Sequence, residues 1–129
     1  MSRVAILKQK DISLALALAL KAARMSQSEL ARRVGCGPAA ISAYLHGREV
    51  PRRERLAKIN EVLGADLVVG RAIRVKDVAP AMGMCEHTLR RAMLKGRYEE
   101  LGVVIPSRGG KRYCFRFYPL AMKKLAGIS

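Results

Sequence analysis

Basic side chains are the residues of this chain whose types and spacing suggest chemistry. They come in short groups: Arg32-Arg33, Arg48 with Arg52-Arg53, Arg90-Arg91 with Lys95, and Arg108 with Lys111 and Arg112. Guanidinium and ammonium groups grouped in this way neutralise the phosphates of a polyanion. Other chemistries find little support. Cys36, Cys85 and Cys114 are scattered and odd in number, and with His46 and His87 they make no metal-ligand spacing, so neither a zinc site nor a disulfide framework is expected. There is no Ser/His/Asp set, no phosphate-cradling glycine loop (Gly109-Gly110 falls in a hairpin turn) and no pair of carboxylates beside an apolar pocket. The sequence therefore predicts a non-enzymatic protein that needs no cofactor and no metal.

The chain that positions these groups has 129 residues, a formal charge of +15, and an apolar half large enough to build a core. Its longest apolar run, Leu14 to Leu20, is far short of the ~20 residues that span a bilayer, and the N-terminus shows no signal-peptide pattern. A cytoplasmic, nucleoid-associated location without membrane contact is expected. Charge is spread along the chain: residues 1–70 hold 12 basic and 6 acidic side chains, residues 71–129 hold 13 and 4. Each half can thus meet a polyanion by itself. Aromatic residues concentrate in the last third, and the composition shift suggests two small domains, 1–68 and 69–129.

The first half has the pattern of short helices. Asp11 is a candidate N-cap for an Ala/Leu-rich helix running to about Arg24. Ser26 with Glu29 forms a capping-box signature before a second helix that Gly35 stops. Pro38 opens a third, with Ile41, Tyr44 and Leu45 inward, and Gly47 closes it. A fourth follows Pro51 with Leu56, Ile59, Val62 and Leu63 as its apolar face. Two short helices joined by a tight glycine-containing turn are suited to duplex DNA, where the first braces on the phosphate backbone while the second enters the major groove.

On the motif SQSELARRVGCGPAAISAYLHGREVP followed by LAKINEVLG, residues 14–64 resemble the lambda-repressor-like helix-turn-helix domain of phage repressors. The resemblance implies that Gln27 anchors a phosphate and that the exposed first turns of the third helix read bases. Those positions are Pro38, Ala39, Ala40, Ser42 and Ala43, which offer no Asn, Gln or Arg for bidentate base contacts. Direct readout is expected to be weak, with Arg32, Arg33, Arg48, Arg52 and Arg53 supplying phosphate affinity. A domain that binds protein, or only dimerises, is the alternative. Where many relatives pair Arg in the first helix with Glu in the third, this chain has Leu20 and Leu45. Replacing a buried ion pair by packed hydrocarbon is often neutral or stabilising.

The run LALALAL puts Leu14 and Leu18 on one helix face and Leu16 and Leu20 on nearly the opposite one. One face serves the domain's own core. The other predicts close interdomain packing or a homodimer formed through Leu14 and Leu18.

In the second half a short helix carries Val75, Val78, Ala79 and Met82, with Pro80 inside it, and Gly83-Met84 makes a turn. Glu86 to about Lys95 forms the next helix, with Leu89, Ala92 and Met93 inward and His87, Arg90, Arg91 and Lys95 outward. The period then changes from 3.6 to 2: Val103–Ile105 is a strand, 108–111 a turn, and Arg112–Phe117 the return strand. Tyr113, Phe115 and Phe117 share one face, read as the apolar underside of the hairpin rather than a base-stacking platform.

The segment from VKDVA through TLRRAM and the GV strand to the closing YP resembles excisionase-like winged helix domains of phages and conjugative elements, within the MerR-like superfamily. The resemblance places Glu86, His87, Arg90 and Arg91 in the major groove and Arg108, Lys111 and Arg112 on a wing near the minor groove. Cys85, where Ser or Thr usually caps the second helix, departs from the pattern. The expected fold is mainly α: a four- to five-helix lambda-repressor-like bundle followed by a small winged helix-turn-helix with a β-hairpin. The expected partner is double-stranded DNA. The expected function is a phage- or mobile-element-type regulator acting as a repressor. An excisionase that bends attachment-site DNA, and an antitoxin or antiactivator holding a protein partner, are the alternatives.

Overall fold

The computed structural model describes residues 3–110 and 112–127, with side chains from Ile12 onward. The described residues form α1 (Arg3–Ala23), α2 (Gln27–Val34), α3 (Pro38–Leu45), α4 (Arg53–Leu63), α5 (Val75–Ala81), α6 (Glu86–Leu94), β1 (Gly102–Pro106), β2 (Tyr113–Phe117) and α7 (Pro119–Ala126). The mainly helical architecture with one small hairpin agrees with the expected fold class.

Helix α1 organises the rest. It packs against α3 and α4 of the first half and against α5 and α7 of the second. Its Leu14, Leu16, Leu18 and Leu20 are 3%, 1%, 0% and 6% exposed, so both apolar faces are covered within one chain. A single cluster of buried side chains therefore runs from Ile12 through Leu30, Ile41 and Ile59 to Val78, Leu89 and Met122. Full burial of a leucine stabilises by roughly 1.5–3 kcal/mol, and here the four leucines of α1 serve both halves. Of the two expectations for this helix, close packing between the halves holds. A homodimer seam through Leu14 and Leu18 is corrected, because neither side chain reaches the surface.

Two further local readings are corrected. Asp11 does not cap α1, which begins at Arg3 and passes straight through that position; no Gly or Pro interrupts 3–10 to stop it. The box at α2 is half made: Ser26 Oγ accepts from the Glu29 N–H at 3.1 Å, but the Glu29 carboxylate turns to Arg32 and Arg33 instead. Gly35 ends α2 with φ +86°, a left-handed position that favours glycine, and the chain turns directly into α3. Leu20 and Leu45 are both buried where α1 meets α3, as expected of an apolar replacement for an ion pair.

The connection between the halves is tied to both. The Asn60 side chain brackets Leu67, donating to its carbonyl at 3.0 Å and accepting from its N–H at 2.8 Å. Leu67 and Ile73 are buried at either end of this stretch. Asp77 Oδ2 accepts the Arg74 N–H at 2.9 Å and so closes the first turn of α5. Pro80 lies in the last turn of that helix, where its missing N–H leaves the first turn intact. In the hairpin, Gly102 pairs with Phe117. A Cβ at residue 102 would sit 2.0 Å from the Arg116 carbonyl oxygen, so only glycine allows this approach.

Candidate nucleic-acid interface

On the first half, Gln27 opens α2 and is exposed, as are Pro38 and Ala39 at the start of α3. Ser42 and Ala43 are half-buried. The His46 ring nitrogen Nδ1 lies 2.8 Å from the Ser42 carbonyl and 3.4 Å from its hydroxyl, so the Ser42 hydroxyl of α3 already has a neighbour. Arg48, Arg52 and Arg53 are exposed around the loop from α3 into α4. Arg32 and Arg33 converge on Glu29 at 2.7 and 2.9 Å. The Arg32 guanidinium first, then that of Arg33, holds the Glu29 carboxyl below its usual range. One carboxylate thus offsets part of the charge that α2 presents. The arrangement grips phosphates more readily than it reads bases.

On the second half, α6 turns Leu89 and Met93 inward and leaves His87, Arg90, Arg91 and Lys95 exposed along one side. Glu86, half-buried in the first turn, pairs with Arg90 at 3.4 Å. Cys85 stands at the N-cap without a side-chain cap bond; its Sγ contacts Thr88 Oγ1 at 2.9 Å. That hydrogen bond, followed by the Thr88 backbone N–H, lowers the pKa of the thiol. The three cysteines are free, and among the described residues no His/Cys/Asp/Glu group is placed to hold a metal. At the hairpin end, Arg108 and Arg112 are exposed, and Ser107 fixes the turn by accepting the Arg112 N–H on its Oγ at 3.1 Å. Lys111 lies outside the described residues. Phe115 and Phe117 rest against the core, whereas Tyr113 near the tip is 51% exposed. The underside reading therefore holds for two of the three aromatics.

Helix α6 and β2 meet a third wall that the sequence pattern does not reveal. Residues 71–76, leading into α5, form with Glu86, Arg90 and Leu94 and with residues 112–116 a cleft of about 740 Å³. Arg71, Arg74, Lys76 and Arg116 bring new positive charge there. The only signal in the sequence is the alternation of basic and apolar residues in RAIRVK, which by itself marks no more than the approach to a helix.

Arg74, Arg71 and Lys76 all gather around Asp66, at 2.8, 3.6 and 3.5 Å. The Arg74 hydrogen bond, above all, lowers the Asp66 pKa from 3.8 to about 2. A carboxylate depressed in the folded state stabilises above its unfolded pKa and loses that contribution as pH falls through the folded one. Asp66→Asn should therefore lower the urea midpoint at about pH 6, and the gap from the parent should close between about pH 4 and pH 2. Because Asp66 is half exposed, the effect is modest and screened by salt. A gap that stays constant across that range removes the assigned role.

No helix among the described residues is long and apolar enough to cross a membrane. Residues 16–69, from the middle of α1 to the start of the connecting stretch, match the helix-turn-helix family model. This segment is therefore similar to helix-turn-helix domains of the repressor-like type, which supports DNA binding by the first half. No curated protein and no solved structure matches the chain.

Proposed function

We propose that the chain is a sequence-specific transcriptional regulator of double-stranded DNA, a repressor of phage or mobile-element type with two DNA-binding modules. The observation that carries this reading is the asymmetry between the two exposed helices. The α3 face is Pro, Ala and a half-buried Ser, while α6 exposes His87, Arg90, Arg91 and Lys95 beside a basic hairpin. The first module then holds the sugar–phosphate backbone, and the second acts as a winged helix whose α6 reads base edges. Arg90 is the best-placed reader, since a bidentate Arg–guanine contact contributes roughly 1–3 kcal/mol of discrimination.

Selection of bound duplexes from a random-sequence library, followed by titration of single-base variants, tests the division of labour. Arg90→Ala should relax preference at particular base pairs, while Arg53→Ala should weaken binding evenly across sequences. Equal, sequence-blind losses from both variants remove Arg90 as a reader. Failure of the full chain to enrich any sequence removes the regulator reading.

A further inference from the structure

We infer that the cleft between residues 71–76, α6 and the free edge of β2 holds one sugar–phosphate strand of the bound duplex, with Arg71, Lys76 and Arg116 as its phosphate contacts. The inference rests on the proposed seating of α6 in duplex DNA and extends the contact surface beyond the recognition helix and the hairpin tip. Its first support is position. Glu86, Arg90 and Leu94, spaced four apart on α6, form one wall of the cleft, so a duplex read by Arg90 has a backbone strand next to it.

The second support is the backbone of β2. Arg112 to Arg116 line the cleft and no residue of β1 does, so the cleft lies on the side of β2 away from its partner. In the hairpin the Tyr118 N–H bonds the Leu101 carbonyl and the Ser107 N–H bonds the Arg112 carbonyl. The antiparallel register then turns the backbone groups of Cys114 and Arg116 toward β1 and those of Tyr113 and Phe115 toward the cleft. Backbone N–H groups are regular phosphate donors in DNA complexes.

The third support is charge. Six basic side chains line the cleft against one carboxylate, Glu86. Arg74 is committed to Asp66 and Asp77 and acts as structure. Arg71 is aimed by a bond from its guanidinium to the Asp66 carbonyl at 2.6 Å, which leaves further donors of its five. Lys76 meets the Asp66 carboxylate only at 3.5 Å, a contact a phosphate can replace. Arg116 is exposed on β2. Leu94 and Phe115 supply apolar surface for the sugar faces.

The test uses the full chain and a duplex enriched from a random-sequence library. Arg71→Ala, Lys76→Ala and Arg116→Ala should each reduce the slope of log affinity against log salt by about 0.9 and weaken all sequences alike. Arg116→Lys should keep the slope. Bound duplex should also protect Cys114, which lines the cleft and is exposed, from iodoacetamide, read by peptide mass spectrometry against the duplex-free chain. Thermal melts establish that each variant is folded. Unchanged slopes and an unprotected Cys114, with Arg90→Ala still relaxing specificity, overturn the inference and leave the proposed function standing. Absence of duplex binding by the parent chain overturns both. Protection of Cys114 by polyglutamate but not by duplex assigns the cleft to an acidic protein segment and likewise overturns it.

Discussion

Leu18→Ala should lower the free energy of unfolding by about 2–5 kcal/mol and loosen both halves of the molecule in one transition. Leu18 is completely buried in the C-terminal half of α1. Truncation removes the transfer free energy of three carbons and leaves a cavity that packed neighbours refill only in part. For a domain of ordinary stability, roughly 5–15 kcal/mol, the loss is a large share of the total. Its distribution is the more informative result. Because α1 packs on α3 and α4 as well as on α5 and α7, the damage should reach all four. Urea unfolding followed at amides of α4 and of α6 by NMR checks this: the parent and Leu18→Ala should each show coincident midpoints. A variant that melts at α4 while α6 keeps the parent midpoint would show two independent cores, and the shared role of α1 would be withdrawn.

How much of the fold is legible in the sequence follows from range. The turn at Gly35, the apolar faces of α3, α4 and α6 and the hairpin period are local, and the structure follows them closely. The doubled apolar face of α1 is also visible, because Leu14 to Leu20 cannot all face one side. Its occupant is not, since packing between distant segments leaves no mark at helical spacing. The start of α1 is hidden for the opposite reason. Asp11 is a good N-cap by type, but a cap forms only where the preceding backbone is extended, and here it is already helical. At Glu29 the competition is between partners: a backbone N–H at Ser26 against two guanidiniums one turn on, and the charged pair takes the carboxylate.

The interface shows the same limit. Arg90, Arg91 and Lys95 can be placed outward from the inward spacing of Leu89 and Met93 alone. Arg71 and Lys76 cannot, because their relation to α6 depends on how the stretch after Gly64 folds back, held by Asn60 and Asp66. The same stretch positions the second half against α1. The connection therefore does two things: it places α6 and the hairpin relative to the first half and contributes cations to the cleft beside α6.

DNA affinity should fall about 10³–10⁵-fold as salt rises from about 50 to about 200 mM, the loss expected when ~6–10 phosphates are neutralised. The exposed and half-buried cations suffice for that number. Arg48, Arg52 and Arg53 lie around α4. Arg91, Lys95, Arg108 and Arg112 follow α6 and the hairpin, and Arg71, Lys76 and Arg116 line the cleft. Arg32 and Arg33 count for less, since each already shares Glu29. Counterion release makes the slope a count of phosphates held, so it separates one engaged module from two. Both modules on one duplex predict a slope between roughly −5 and −9, and a single module about half of that. Fluorescence anisotropy of a labelled duplex over this salt range measures it directly. A slope of about half the two-module value or shallower would mean that one module's charge never meets phosphate, and the two-module seating would fall with it.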